Sequence, residues 1–284
     1  MKIKITSDST SDLSSELIKK YNIGILPVTV IADGKEYKDG VDITTDELFP
    51  IVEKTGELPK TAATNPTLFE EFFKSQLESD GGYDAIIHFD ISSKISSLFQ
   101  NAQIASQAFD NKVFVVDSLS LSTGIGLQML YAYELAQKGV SAEEIYQKVL
   151  ERRNSVQASF VIDTLKYLYK GGRCSRLAMF GANLLKIKPV IALNDGKMDV
   201  DSKPRGKFAD VAMKYVEYTL QKYKTPDKTR CFLTYTTLDD EIVQKIYERI
   251  KPLFKEVLIT RAGCTVATHC GKNTVGILFY NDGK

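Results

Sequence analysis

Ala85-Ile86-Ile87-His88-Phe89 is an almost continuous apolar run, and it breaks into a cluster of hydroxyls at Ser92, Ser93, Ser96 and Ser97. A short run without alternation predicts a strand buried on both faces, as in a parallel sheet covered by helices. The same order of apolar strand, polar loop and helix appears at two more places. Ile3-Lys4-Ile5-Thr6 runs into Ser7-Asp8-Ser9-Thr10-Ser11-Asp12 and then a helical spacing of Leu13, Leu17, Ile18 and Tyr21. Val113-Phe114-Val115-Val116 runs into Asp117-Ser118 and a further polar loop. In an open α/β sheet, ligands bind beyond the carboxyl ends of the strands, so these hydroxyl-bearing loops are expected to converge on one edge.

Outward from that core, Ile23 to Ala32 reads as a second strand, and Asp33-Gly34 turns it into Lys35-Glu36-Tyr37. Thr44 with Glu47 is a capping box, Lys60 to Thr64 reads as a polar loop, and Asn65-Pro66 opens a helix through Leu68, Phe69, Phe72, Phe73 and Leu77. The second half differs. Ser141 with Glu144 caps a helix to about Asn154, and Ala158 to Ile162 is a strand. Asp195-Gly196 joins two strands as a hairpin. Long helices follow at Lys207–Lys222 and Asp239–Phe254, with strands at Cys231–Tyr235, Val257–Ile259 and Val275–Phe279. The expected fold is α/β in two units. Residues 1–155 form a mainly parallel sheet flanked by helices, and residues 156–284 form an α/β unit with a mixed sheet and a β-hairpin.

The 284 residues are 43% hydrophobic and 26% charged. That balance excludes a disordered or fibrous chain. The 37 basic and 36 acidic side chains leave a formal charge of +1. The basic excess that duplex nucleic acid or an anionic membrane selects is missing. No apolar run is long enough to span a bilayer, and Met1-Lys2-Ile3-Lys4-Ile5 lacks a signal-peptide core; a cytoplasmic protein without stable membrane insertion is expected. Four scattered cysteines and two histidines, without a C-x-x-C pair, give no pattern for structural zinc or a disulfide framework.

Phosphate-loop and dinucleotide fingerprints are absent, and Gly124-Ile125-Gly126 reads as a helix-packing feature. Ser93, His269 and Asp117 make a catalytic triad only on paper. Capping explains each serine and threonine loop singly, but it explains less well their depth at successive strand ends. Free helix N-termini and hydroxyls also suit an anionic head group. Arg173, after Gly171-Gly172, and Arg205, after Lys203-Pro204, read as solvated cations or as part of a site. His88, within its apolar strand, reads as structural, and His269 as a core or loop histidine or a site residue.

Taken in order, seven segments resemble the DegV family over essentially the whole chain. They are Ser7-Asp8-Ser9-Thr10, Pro59-Lys60-Thr61, Ile91-Ser92-Ser93-Lys94-Ile95-Ser96 and Val116-Asp117-Ser118 in the first half. In the second they are Thr164-Leu165-Lys166-Tyr167-Leu168 with Gly171-Gly172-Arg173, then Ile187-Lys188-Pro189 and Thr268-His269-Cys270-Gly271. The resemblance implies a bacterial protein that buries a long-chain fatty acid and presents it to a separate fatty acid kinase subunit. The kinase makes an acyl phosphate for phospholipid synthesis, and the binding protein itself is not the catalyst and needs no cofactor or metal.

Carried over by position, the resemblance implies that Thr61 and the hydroxyl and amide of Ser93 hold the carboxylate, with Ser92 beside them and His269 near the head group. Arg173 is implied at the portal or kinase contact, and Arg205 more weakly on that face. Two segments depart from the family pattern. Thr61-Ala62-Ala63-Thr64-Asn65-Pro66 stands where the family often has Thr-Ser-Gln-Pro after the lysine. Ser96-Ser97-Leu98-Phe99 stands for Ser-Gly-Thr-Tyr, putting a Cβ where glycine is usual. The rival readings are an enzyme acting on a small hydroxylated or phosphorylated metabolite at the strand ends, and a lipid-sensing regulator without a kinase partner.

Overall fold

The computed structural model describes residues 1–174 and 187–283. Strand β1 (Ile3–Asp8) leads through a short turn to α1 (Ser15–Lys20) and β2 (Gly24–Leu26). Strands β3 (Thr29–Ala32) and β4 (Lys35–Lys38), α2 (Thr45–Thr55), β5 (Lys60–Ala62) and α3 (Pro66–Glu78) follow. Next come β6 (Ala85–Asp90), α4 (Leu98–Ser106), β7 (Val113–Asp117), α5 (Thr123–Gln137) and α6 (Ala142–Arg152). The chain continues with β8 (Val156–Ile162), α7 (Lys166–Gly171), β9 (Val190–Asn194), β10 (Lys197–Ser202) and α8 (Phe208–Lys222). It ends with β11 (Arg230–Tyr235), α9 (Asp240–Ile250), β12 (Glu256–Arg261), α10 (Cys264–Cys270) and β13 (Thr274–Tyr280).

The strands form three sheets. A parallel sheet has the order β2-β1-β6-β7, and a mixed sheet has the order β10-β9-β8-β13-β11-β12. A small antiparallel sheet, β4-β3-β5, stands beside them. Every residue of β6 is buried, as its unbroken apolar pattern requires of a central strand. The residues predicted as one strand from Ile23 to Ala32 divide at Pro27-Val28: β2 joins the parallel sheet and β3 starts the small one. Proline supplies no N–H to a ladder, and the chain changes sheets where that bond is missing. Lys60–Ala62, read as loop, is an edge strand paired with β3, setting Thr61 opposite Val30.

Helix α5 is buried on nearly every side and touches strands of both large sheets, so it is the shared centre of the fold. A Cβ on Gly126 would stand 2.7 Å from Leu13 Cδ2, which bears out the packing role of Gly124-Ile125-Gly126. One apolar cluster fills the space around α5 and the parallel sheet, and a second lies between the far face of the mixed sheet and α8 and α9. A third joins Val30, Leu48 and Phe49 to Cys264 and Ala267. Helix α10 therefore packs on the small sheet and α2, far from its neighbours in sequence. In the predicted hairpin, Asp195 has φ 47° and Gly196 has φ 74°. Both lie in the left-handed region that a two-residue turn of this type demands.

Candidate functional site

Strand β5 alternates its side chains, so Lys60 and Ala62 are exposed and Thr61 is half-buried. Its Oγ1 shares a 3.0 Å hydrogen bond with His269 Nε2 on α10. Arg173 follows Gly172, whose φ of 69° ends α7 in a left-handed cap. Glycine takes that conformation without a Cβ penalty. The Arg173 Nη1 donates to Gly171 O at 2.5 Å. Ser93 lies in the loop after β6, where its amide donates to Asp117 Oδ1 at 3.1 Å. Thr61, Ser93, Arg173 and His269 come from distant segments and line one cleft of about 590 Å³. Val28, Ile91, Ile95, Leu98 and Phe99 supply apolar wall. That volume lies within the range of small-molecule sites, roughly 300–1,000 Å³.

The remaining candidates lie elsewhere. Ser92 is fully buried, and its hydroxyl donates to Gly196 O at 2.8 Å, tying the β6 loop to the β9–β10 hairpin instead of lining the cleft. The Ser93 amide, implied as a carboxylate donor, is already used by Asp117, which leaves the hydroxyl for a ligand. Arg205 is exposed between β10 and α8 and does not line the cleft. His88 is fully buried, bonded to Thr6 Oγ1 (2.9 Å) and Asp90 Oδ1 (3.2 Å) and ringed edge-on by Phe69, Phe72 and Phe73, as a structural histidine is. Ser97 sits at φ −85°, ψ 1°. That conformation is open to any residue, so the usual glycine is not needed there.

Ser93, His269 and Asp117 do not form a relay. Asp117 Oδ1 accepts from the amides of Ser93 and Leu119, and His269 Nε2 faces Thr61. Burial, with Arg173 adding to it, holds His269 down at about 4, so its ring is neutral near pH 7. The cleft thus offers hydroxyls, a neutral imidazole, the side-chain amides of Gln100 and Gln103 and, at its exposed side, the cations of Arg173 and Lys94. Among the described residues no group of three or more His, Cys, Asp or Glu is arranged to hold a metal ion.

Several contacts that build the cleft have no local signal in the sequence. A Cβ on Gly171 would stand 2.6 Å from His269 Nδ1, so this glycine lets the end of α7 lie against the imidazole edge. Asp39 caps α10: Oδ1 accepts from Cys264 N at 2.7 Å and Oδ2 from Thr265 N at 3.0 Å. Ser9 Oγ donates to the same Oδ2 at 3.0 Å, clamping the turn after β1 to α10. The Asp8 carboxyl holds that turn from the other side, accepting from Thr10 N at 2.6 Å; burial and neighbouring Asp90 push it up to about 7. Asp39 stands near the start of the chain and its helix near the end, a separation no local pattern reports.

A sequence profile described as "Uncharacterised protein, DegV family" matches residues 2–282. A DegV domain-containing protein of Caldanaerobacter subterraneus subsp. tengcongensis is 34% identical, covering 98% of each chain. Among solved structures, a DegV family protein from Thermus thermophilus described for its fatty acid binding superposes with a TM-score of 0.88 at 29% identity, over 99% of this chain and 100% of that one. DegV of Bacillus subtilis, described as a fatty acid binding protein, gives 0.84 at 26% identity over 99% of each chain. Family profile, sequence relatives and solved folds agree over the full length, and the chain belongs to the DegV family.

Proposed function

We propose that this protein binds a long-chain fatty acid, holds its carboxylate with the Thr61 and Ser93 hydroxyls, and presents it to a separate fatty acid kinase subunit for acyl-phosphate formation. The observation that carries the reading is the single cleft in which Thr61, Ser93, His269 and Arg173 meet apolar wall. The fatty-acid-binding descriptions of the Thermus and Bacillus relatives support it. In this reading the chain is a cytoplasmic carrier without catalytic residues, built as units 1–155 and 156–284, and the lipid is its ligand.

The energetics suit such a carrier. Burying fourteen methylenes at ~0.8 kcal/mol each supplies roughly 11 kcal/mol. Association and chain ordering cost ~4–15 kcal/mol, so a preformed cleft is required for useful affinity. A buried carboxylate must be hydrogen-bonded. Neutral hydroxyls satisfy its oxygens while leaving it free of a tight buried ion pair, and the neutral His269 orients Thr61. Arg173, exposed at the cleft, is available to a partner or to a developing phosphate. The test is to incubate palmitate-loaded protein with a bacterial fatty acid kinase subunit and ATP. Palmitoyl phosphate is the expected product; lipid that stays unphosphorylated with every kinase subunit of a DegV-containing bacterium contradicts presentation.

A further inference from the structure

The cleft carries more positive charge than a fatty acid needs. Lys94 follows Ser93, and Arg173 stands near His269, whose imidazole pairs with Thr61. Each hydroxyl assigned to the carboxylate therefore has a cation in its neighbourhood. Both cations line the cleft and both are exposed, so a ligand can reach them. Among the described residues no aspartate or glutamate lines the cleft, and neither cation is neutralised by an ion pair. A rim of one sign without counter-charge favours an anionic ligand.

The backbone that carries Lys94 is fixed. Its amide donates to Ser92 Oγ at 3.2 Å, and that hydroxyl donates to Gly196 O at 2.8 Å. A Cβ on Gly196 would stand 3.4 Å from Lys94 Cγ, so the lysine stem runs against the β9–β10 hairpin at its bare glycine. Asp117 Oδ1 ties down the same loop through the Ser93 and Leu119 amides. The first turn of α4 also lines the cleft at Leu98, Phe99 and Gln100. It holds no acidic residue, and Ser97 makes no side-chain cap bond, so the positive end of the helix adds to the field of the two cations.

Phosphorylation changes the charge of the head group. The γ-phosphoryl group of ATP passes to a carboxylate oxygen; the new O–P bond forms as the bond to the departing ADP oxygen breaks. A monoanion becomes a group that, like other phosphoryl groups, carries about −1.5 to −2 near pH 7 and brings three strong acceptor oxygens. Two cations match that product better than they match the substrate. We propose that Lys94 and Arg173 form a phosphate subsite, which makes the protein bind the acyl phosphate product more tightly than the fatty acid. This rests on the fatty-acid reading and extends it to the product.

The test compares two ligands on delipidated protein without any kinase. One is palmitate. The other is 2-oxoheptadecylphosphonate, in which a methylene replaces the bridging oxygen of palmitoyl phosphate and stops its hydrolysis. Titrations are run in mildly alkaline buffer, where the phosphonate is fully ionised. The native protein is expected to prefer the phosphonate by about 10-fold or more. Lys94→Gln and Arg173→Gln should each cut that preference by about 3- to 10-fold, between the effect of an exposed ion pair and that of a charge-assisted hydrogen bond. Lys94→Arg keeps the charge and should keep the preference. Added KCl should shrink the preference of the native protein and leave that of the double glutamine variant almost unchanged. Equal affinity for the two ligands in the native protein overturns the proposal, while its palmitate binding upholds the fatty-acid reading. A preference that survives in the double glutamine variant also overturns it. A native protein that binds neither ligand overturns both readings together.

Discussion

His269 owes its state to position. Its ring is enclosed by Thr61, the end of α7 at Gly171 and the nearby Arg173, and burial followed by the guanidinium charge lowers it to about 4 from the usual 6.5. The folded protein therefore binds fewer protons at this site than the unfolded chain between those values. The stability tied to neutral His269 is present above pH 6.5 and is lost as the pH falls toward 4. In thermal melts of ligand-free protein, the native chain should lose stability relative to His269→Gln across that window, and parallel profiles would speak against the assignment. Gly171→Ala places a methyl against Nδ1. Overpacking there is expected to cost about 1–3 kcal/mol in urea denaturation and to weaken palmitate binding. Thr61→Val removes the hydroxyl that pairs with His269 and, in the proposed function, holds the carboxylate; it should weaken palmitate by about 1–3 kcal/mol in a titration.

Among the elements, Asp39 is the capping residue on which the cleft most depends. Asp39→Ala strips the acceptor from Cys264 N, Thr265 N and Ser9 Oγ at once. A loss of about 1–3 kcal/mol is expected in chemical denaturation of the ligand-free protein, with palmitate affinity falling alongside. Much at this scale was legible beforehand. Asn65 accepts from Leu68 N with Pro66 behind it, the Thr44–Glu47 capping box is closed, and Ser141 accepts from Glu144 N. Each is a local signal whose cause lies within one helical turn. The failures have non-local causes. Strand β5 is Lys-Thr-Ala, with no apolar pattern of its own, and it exists because β3 pairs with it. Helix α10 was not assigned from the sequence because its N-cap position is Gly263 and its capping carboxylate comes from the other end of the chain. The turn before α1 read as a run of caps, yet Ser14 caps that helix and Ser9 through Ser11 serve the turn itself.

For the molecule as a whole, the two large sheets have the parallel and the mixed character expected of them, but the cleft does not respect the halves. Thr10, Thr61 and Ser93 come from the first half and Arg173, Thr265 and His269 from the second, joined through the return of α10 onto the small sheet. Thr61, Ser93, Arg173 and His269, and their meeting around one head group, were accessible through family resemblance. The contacts that bring them together were not, since they join opposite ends of the chain. If the proposed presentation to a kinase holds, Arg173→Ala, which alters an exposed side chain, should slow phosphoryl transfer by the kinase subunit while palmitate remains bound; loss of the lipid would put Arg173 inside the binding contact instead. The most direct check of the central claim is native mass spectrometry of the protein purified from bacteria without added lipid. A bound long-chain fatty acid, retained by the native chain and depleted in the Thr61→Val, Ser93→Ala double variant, is the predicted result. A bare chain, or a polar metabolite in place of the acid, would contradict it.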